Sequence, residues 1–482
     1  MSKLTNFSLA LLLLMLLFCC KTFAAEYTVP RAAYSVYAED LDLDGDRDIV
    51  VGHNYNPQTQ WSGVSILENN GYGEFTLIDS IFLYGWQPDV QIKNLNLNEN
   101  PEIIAKRENA TEENEYIAII KDFHLCDISY FSLNTYEGVA NITTGDIDND
   151  NDMDIIVACN GNQTWGVLYN DGTGQFSEPD YYSVAGVSPT DIECGNLNSD
   201  KREDILVSGL EVRIYYSYPT GFDCYIINEE PEMQVEIGDL DNDGDNDIVG
   251  ISDIFDIIAL TKYENIGDTA FYEHNQELYE IYAPYFTLSD LNNNNLPDVV
   301  CSGTYGVYVL YNEGDFQLSE PQYFPTNTSG ICRPPFCVDV DGNGYNDIIT
   351  IRGLYSTGIL TILFNDGNGN FVEEPQVAID PHSPPLSEVS LSPNPFTVST
   401  NISFITKIPL KKEAKIKIYN AKGELVRKLD CHQNGFTENG KMIYTSEWDG
   451  KNRNNKRVSS GIYFSKIKLN KKEIVNRMLF MN

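Results

Sequence analysis

Residues 40–48 read DLDLDGDRD, and the β-branched triplet Ile49, Val50, Val51 follows. Asp40, Asp42 and Asp44 alternate with leucines, Gly45 interrupts the run, and Asp46, Arg47 and Asp48 complete it. Carboxylates at alternate positions of an extended arm point to one side, and a glycine can turn the chain back onto whatever they hold. Oxygen ligands so arranged suit a hard divalent cation, which takes six to eight oxygens at about 2.3–2.6 Å. This reading makes Asp40, Asp42, Asp44 and Asp48 side-chain ligands and the carbonyl of Asp46 a fifth. One such stretch alone is more often an acidic Asx turn ahead of a strand.

The stretch is not alone. The pattern returns from Asn94, Asp146, Asn196, Asp239, Asp290 and Asp339, seven copies at spacings of 54, 52, 50, 43, 51 and 49 residues, each running into Ile, Leu or Val. Copies three (Asp146, Asp148, Asp150, Asp152, Asp154) and five (Asp239, Asp241, Asp243, Asp245, Asp247) match the first, and copy seven (Asp339, Asp341, Asn343, Tyr345, Asp347) exchanges one carboxylate for an amide. In these copies Asp152, Asp245 and Tyr345 stand where Asp46 offers its carbonyl. Those four loops are expected to bind the ion. Copy six, with Asp290, Asn292, Asn294 and Asp298, is expected to bind weakly. Copy four (Asn196, Asn198, Asp200, Asp204) carries Lys201 and Arg202, which place positive charge inside the loop, and is expected to be empty or weak. Copy two keeps only Glu102 beside Asn94, Asn96 and Asn98, and reads as a hydrogen-bonded turn.

The elements that hold these loops are strands. Each loop leads into a short apolar run such as IVVG (49–52) or IIVAC (155–159), and then a second such as GVSILEN (63–69), GVLYN (166–170) or GILTILFN (358–365). Turns of the form NDGTGQF (170–176) and NDGNGNF (365–371) follow. About four strands per period of about fifty residues, seven times over and without helical periodicity, predict an all-β chain built on a seven-bladed β-propeller.

The repeats resemble FG-GAP or VCBS propeller blades, related to those of integrin α-subunits, over residues 34–380. The resemblance implies that the Asp-x-Asp-x-Asp-Gly-x-x-Asp loop joins two strands of a blade and holds Ca²⁺.

The formal charge of −39 argues against nucleic acid as a partner. Residues 1–25, with Lys3, the apolar run from Leu9 to Phe18 and small residues at Ala24 and Ala25, have the layout of a cleaved secretory signal, so the mature chain is expected to start near Glu26 without a transmembrane span. Cys19 and Cys20 raise a lipoprotein alternative, against which Phe18 occupies a position that wants a small residue. The remaining eight cysteines are too sparse for a disulfide scaffold; Cys332 and Cys337 could bridge locally, and scattered buried thiols are the plainer reading.

The composition reverses after HSPPLS (382–387): residues 383–482 carry 18 Lys and Arg against 8 Asp and Glu, a net of +10, whereas the preceding residues carry a net of −49. Strand patterns at 402–406, 414–420, 424–429, 442–448 and 461–469 predict a small antiparallel sandwich. The expected organisation is a signal at 1–25, a propeller at 26–381, a linker at 382–390 and a sandwich at 391–482. The words SPNPF (392–396), IKIYNAKGELV (416–426), WDGKN (448–452), VSSGIYFSKI (458–467) and the ending KEIVNRMLFMN resemble the type A C-terminal sorting domain of the type IX secretion system, itself similar to the immunoglobulin-like domain of flagellar hook-capping proteins. That resemblance implies passage through the periplasm to the outer surface or medium of a Gram-negative bacterium, with the secretion machinery as partner.

The five histidines are scattered, without a His-Glu-x-x-His spacing, and no nucleophile elbow, phosphate loop or dinucleotide fingerprint is present. Two readings remain: a calcium-binding surface or secreted module for adhesion, interaction or glycan binding, and, as the alternative, a polysaccharide lyase or hydrolase on the same scaffold. Trp61 and Trp165 hold matching places before a strand in repeats one and three; blade packing is their plain reading and a sugar-stacking platform the sharper one.

Overall fold

The computed structural model describes residues 25–480 apart from 30–31, 57–60, 84–85, 97–99, 109–114, 123–126, 134–137, 185, 187, 199, 254–256, 268, 280, 282, 327–332, 354–357, 368, 373–385, 393–395, 407–414, 421, 423–424, 437–441, 454 and 470–471. The signal segment before Ala25, residues 382–385 of the expected linker, and Cys126 and Cys332 lie outside those residues. Among the described residues every helix or strand is a strand, and they fall into two compact units, 1–377 and 378–482.

Among the described residues the first unit contains seven antiparallel sheets of four or five strands in chain order, besides one small two-stranded pair, Asn312–Gly314 with Gln317–Leu318. Sheet one consists of Ala33–Glu39, Asp48–Asn56, Trp61–Asn69 and Phe75–Leu83, adjacent in space as in sequence. The first strands of the other six are Trp86–Lys93, Asn141–Gly145, Asp191–Gly195, Gln234–Gly238, Tyr285–Ser289 and Phe336–Val338. Second strands such as Asp154–Cys159 and Asp204–Ser208 are buried along their whole length, which is why they read as unbroken β-branched runs rather than as an alternation. Each fully buried Val, Ile or Leu there contributes about 1.5–3 kcal/mol.

The seventh sheet departs from the expectation that every period supplies its own strands. Among the described residues downstream of Gly358–Asn365, the short Phe371–Val372 alone pairs with that strand. The rest of its edge is covered by Ala25–Val29, antiparallel, with Ala25 opposite Ile362 and Val29 opposite Gly358. An open edge would template association with another chain. The start of the unit thus closes its end.

The first strands adjoin one another in sequence order and line a cavity of about 530 Å³. Ser35 Oγ donates to Pro88 O (2.7 Å), Gln91 Nε2 to Ile142 O (2.9 Å), Asn141 Nδ2 to Asp191, Val235 N to Asp191 Oδ2 (3.0 Å) and Gln234 Nε2 to Phe286 O (2.9 Å). Ser302 Oγ and Thr350 Oγ1 meet at 3.3 Å between sheets six and seven, and the Tyr37 and Phe336 rings, 4.5 Å apart, join seven to one.

A second set of contacts binds the sheets farther out. In sheet three, buried Asp154 opens the second strand; its Oδ2 accepts from Ile147 N (3.1 Å) and its Oδ1 from Asn170 N (2.8 Å) at the end of the third strand. Asn170 Nδ2 donates to Met153 O in its own sheet (3.0 Å) and to Leu95 O in sheet two (2.6 Å), while its Oδ1 accepts from Gly174 N (3.1 Å), a glycine at φ +74°. The same clamp recurs with Asp48 and Asn69, Asp247 and Asn265, Asp298 and Asn312, and Asp347 and Asn365. Each of these asparagines reaches the preceding sheet, at Val340, Leu197, Leu240 and Leu291 respectively. Sheet four uses Ser217, whose hydroxyl donates to Ile147 O (3.0 Å). Because Asn69 of sheet one bonds Val340 of sheet seven, the series closes on itself.

The second unit pairs two four-stranded sheets: Leu386–Ser392, Thr400–Thr406, Met442–Trp448 and His432–Phe436 in one, Leu425–Asp430, Lys415–Asn420, Gly461–Leu469 and Lys472–Phe480 in the other. Their core gathers Ile402, Phe404, Ile416, Ile418, Trp448 and Met478. The expected linker at 382–390 is corrected here: from Leu386 onward it is an edge strand, because LSEVSLS alternates and pairs with Thr400–Thr406.

Asn170→Ala removes three hydrogen bonds and strands buried carbonyls, so it should destabilise the protein by about 1–3 kcal/mol or more. Exposed Asn70→Ala should stay within about 0.5 kcal/mol. Denaturant unfolding of both measures this; equal losses would remove the bridge from the account of stability.

Candidate functional site

Each acidic loop spans the turn between the first and second strands of its sheet, so the ladder fixes both ends. In loop one, Asp40 Oδ1 accepts from Asp44 N (3.1 Å) and Oδ2 from Gly45 N (2.9 Å). Asp146, Asp239, Asp290 and Asp339 repeat the arrangement. The sixth residue lies in the left-handed region in all five: Gly45, Gly244 and Gly344 at φ +97°, +99° and +90°, Asn151 and Asn295 at +73° and +64°. The fourth does too, including Leu43 at +61°, a conformation that costs a branched side chain about 1 kcal/mol or more.

Folding brings three carboxylates together in each of four loops, with one oxygen per residue all within 4.8 Å: Asp40, Asp42 and Asp48; Asp146, Asp148 and Asp150; Asp239, Asp241 and Asp247; Asp339, Asp341 and Asp347. Asp44, Asp154 and Asp243, expected as ligands, stand outside these groups. Asp44 Oδ1 and Asp243 Oδ1 accept from the N–H of Asp46 (3.2 Å) and Asp245 (2.9 Å), and Asp154 is held by its two clamp bonds. Tyr345 likewise donates its N–H to Asn343 Oδ1 (2.7 Å). Asp152 is buried beside Asp150; burial first and then that neighbour push its carboxyl up to about 6.

The electrostatics are those of crowded acids. Burial, and then the neighbouring carboxylates Asp44, Asp150 and Asp243, raise Asp42, Asp148 and Asp241 respectively. Burial outweighs two backbone N–H donors at each clamp, lifting Asp48, Asp204 and Asp298 to about 6, Asp154 and Asp247 to about 7, and Asp347 well above the usual range. A bound cation reverses this balance by favouring the ionised form.

The fifth loop position tests whether a metal fits. Asn343 Nδ2 donates to Asn365 O (2.7 Å), and Asn294 Nδ2 to Asn312 O (3.0 Å). In loops one, three and five this position is Asp44, Asp150 or Asp243, whose ionised oxygens can only accept. There a cation could balance the carboxylate that replaces the amide donor. These all-oxygen groups could therefore bind a metal, and the donor type favours a hard one.

The weaker copies are satisfied differently. In loop four Asn196 Nδ2 donates to Asp200 O and Asn198 Nδ2 to Asp200 Oδ2 (3.3 Å), so amide N–H groups occupy the oxygens a metal would need. Arg202 does not neutralise its own loop as expected: Nη1 reaches across to Ile147 O of sheet three at 3.3 Å. In loop two Asn96 Nδ2 donates to Glu102, which also accepts from Leu95 N (2.8 Å); Asn98 lies outside the described residues.

Trp165 is fully buried, stacked on Tyr182 at 4.5 Å with Tyr215 and Phe222 edge-on, so it packs adjoining sheets and presents no face to a sugar. The side chain of Trp61 lies outside the described residues. Cys337 is a free thiol, as are Cys159, Cys194, Cys224, Cys301 and Cys431. The clamp asparagines were missed as bridging residues; their signal was the Asn that opens each Asn-x-Gly turn.

Residues 146–207 and 290–350 match the model of the FG-GAP-like repeat, each segment starting at the first aspartate of an acidic loop. The chain carries FG-GAP-like repeats. Its first unit is β-propeller-like. Among solved structures, one of an Agrocybe aegerita lectin, described as specifically recognising non-reducing terminal N-acetylglucosamine, is similar with a TM-score of 0.49 and 18% identity, covering 70% of this chain and 92% of that one. No curated protein matches in sequence.

Asp241→Ala should reduce the number of divalent ions bound per chain by about one, and Asn96→Ala should leave it unchanged. Elemental analysis after equilibrium dialysis reads the difference; equal counts would overturn the ranking of the loops.

Proposed function

We propose that the protein is a Ca²⁺-stabilised, seven-bladed β-propeller followed by an immunoglobulin-like sandwich, exported through the periplasm to the outer cell surface or medium of a Gram-negative bacterium, where the propeller serves as an interaction or glycan-binding module. The convergence of three carboxylates in each of loops one, three, five and seven is the observation that carries the calcium reading. The seven sheets, linked each to the next and the last to the first, support the blade count. The two FG-GAP-like segments support an interaction role. Exposed aromatic residues of the first unit, among them Phe82, Tyr225, Tyr272 and Tyr305, offer the flat apolar faces on which sugars stack.

The export reading rests on the second unit. Phe396 from SPNPF, Trp448 from WDGKN and Phe480 from the chain ending meet in one core, with the Phe396 ring 5.4 Å from Trp448 and 5.0 Å from Phe480. Motifs spread over ninety residues are thus parts of one small domain, as a separable address requires.

Chelation should lower the melting temperature, since ligand-linked stabilisation follows RT ln(1 + [L]/Kd) and reaches about 2.7 kcal/mol per site at a hundredfold excess. Coincident melting curves in excess Ca²⁺ and excess chelator would sink the calcium reading.

A chain ending at Asp380 should fold with all seven loops, and in a host with the type IX system it should accumulate in the periplasm while the full chain reaches the surface. Surface delivery of the shortened chain at the full-length level would refute the sorting role. A glycan-binding screen with the secreted protein, run beside a reducing-end release assay on the same polysaccharides, separates the binding module from the enzyme.

A further inference from the structure

The cavity enclosed by the seven first strands has an organised wall. In every sheet one first-strand residue lies opposite the second residue after the clamp carboxylate, as Tyr37 opposite Val50, Glu193 opposite Leu206, Glu236 opposite Val249 and Phe336 opposite Ile349, so these residues share one level. All of them line the cavity. Sheets one and seven contribute the Tyr37–Phe336 ring pair, and sheets four and five, about half-way round the order of sheets, contribute Glu193 and Glu236. Gln91, Thr143 and Thr287 complete the level with hydrogen-bonding groups.

The charges facing the cavity are segregated. On the aromatic side, Arg333 lies 3.9 Å over the Tyr34 ring, Lys93 Nζ lies 5.8 Å from the Tyr37 centroid, and Lys106, which donates to Ala140 O (2.6 Å), and Arg333 both act on Asp89. On the opposite side Asp191 is satisfied by Asn141 and Val235 N, and Glu236 accepts from Gln234 Nε2 at 3.2 Å. The charges that act on Glu193 are those of Glu236, Asp191 and Asp89, all carboxyls. Burial, then Asp191, lifts Glu236 to about 8, and burial, then Glu236, lifts Glu193 well above the ordinary range. Enclosed carboxylates without a cation hold protons in its place.

We propose that this cavity binds a small hydroxylated organic cation, with its ammonium group between Glu193 and Glu236 and its neutral body toward Tyr37 and Phe336. The basic groups on the aromatic side repel the charged end and so fix the orientation. The hydroxyl groups meet Gln91, Thr143 and Thr287, and the apolar part of the body packs on the rings. The pocket is separate from the acidic loops and does not depend on their binding calcium.

Choline, permanently charged, and 3,3-dimethylbutan-1-ol, its neutral isostere, are the probes, titrated calorimetrically into the full chain at constant saturating Ca²⁺. Choline should bind 1:1, at least tenfold more tightly than the alcohol. Its affinity should rise from pH 7 to pH 9, because raising the pH through about 8 removes the proton that competes for Glu236. At pH 7 binding should release protons. Glu193→Gln/Glu236→Gln should abolish binding; if the double variant does not fold, Glu236→Gln alone should weaken it at least tenfold and flatten the pH dependence. Equal affinity for the alcohol, unchanged binding in the folded variants, no binding of choline at millimolar concentration, or displacement of choline by added Ca²⁺ would each overturn the proposal.

Discussion

The structure of the first unit depends on one buried carboxylate per sheet. Placed at the start of the second strand, Asp154 and its counterparts in sheets one, four, five, six and seven accept one N–H from the acidic loop and one from the end of the third strand, while Glu102 of sheet two accepts the loop N–H of Leu95. Three consecutive strands are thereby locked in register at the edge where the loops emerge. The Asn or Ser supplying the second N–H passes the constraint to the preceding sheet through its own side chain, at 2.6–3.1 Å in the six sheets with that bridge. Removing a carboxylate would cost more than its own two bonds, because buried N–H groups on two elements would be left without acceptors.

This constraint separates two roles that share one motif. The final acidic residue is kept even in copies two and four, where Glu102 and Asp204 accept the clamp bond from Leu95 N and Leu197 N although the first two acidic positions have become amides. The earlier carboxylates follow a different logic. Where they are Asn, their N–H groups bond oxygens of the loop or of the third-strand end; where they are Asp, oxygens face oxygens, an arrangement that a positive ion could satisfy. The last position therefore maintains the sheet, and the preceding ones would set the affinity for a metal.

Much of this was legible in the sequence because repetition multiplies weak signals. One acidic turn means little, while seven in register, each feeding a β-branched run, specify strand, loop and period together. The four loops richest in carboxylates are the four in which three carboxylates converge. What was not legible depended on distance along the chain. Nothing in Ala25–Val29 announces that it pairs with Gly358–Asn365 more than three hundred residues later. Leu43 gives no hint of a left-handed backbone, since the ladder at both ends of the loop imposes it. In the second unit the strands Leu386–Ser392, His432–Phe436 and Lys472–Phe480 were missed, the first read as linker, the second masked by polar residues and a glycine, the third by its basic content. Trp165 shows the same limit: its sequence position suits a sugar platform and a packing residue equally, and only the neighbouring Tyr182, Tyr215 and Phe222 decide for packing.

The charge distribution connects these observations. A net of −49 before residue 383 looks like a load of mutual repulsion, and screening by salt within about 10 Å relieves only what is exposed. The structure distributes that load among three environments. The clamp carboxylates are buried and stabilised by backbone dipoles. The loop carboxylates converge where a cation can neutralise three at once. Glu193 and Glu236 face an internal cavity, where burial and neighbouring carboxyls outweigh the Cys194 backbone donor at Glu193 and the Gln234 amide at Glu236. A repeat that needs an acid at every loop for architecture is free to vary the residue three places before that loop, and Tyr37, Gln91, Thr143, Glu193, Glu236, Thr287 and Phe336 show how far it has varied. The seven sheets thus enclose a cavity with an aromatic pair, Tyr37 and Phe336, on one side and an acidic pair, Glu193 and Glu236, about half-way round, and that asymmetry gives the ring a direction along which a ligand can be oriented.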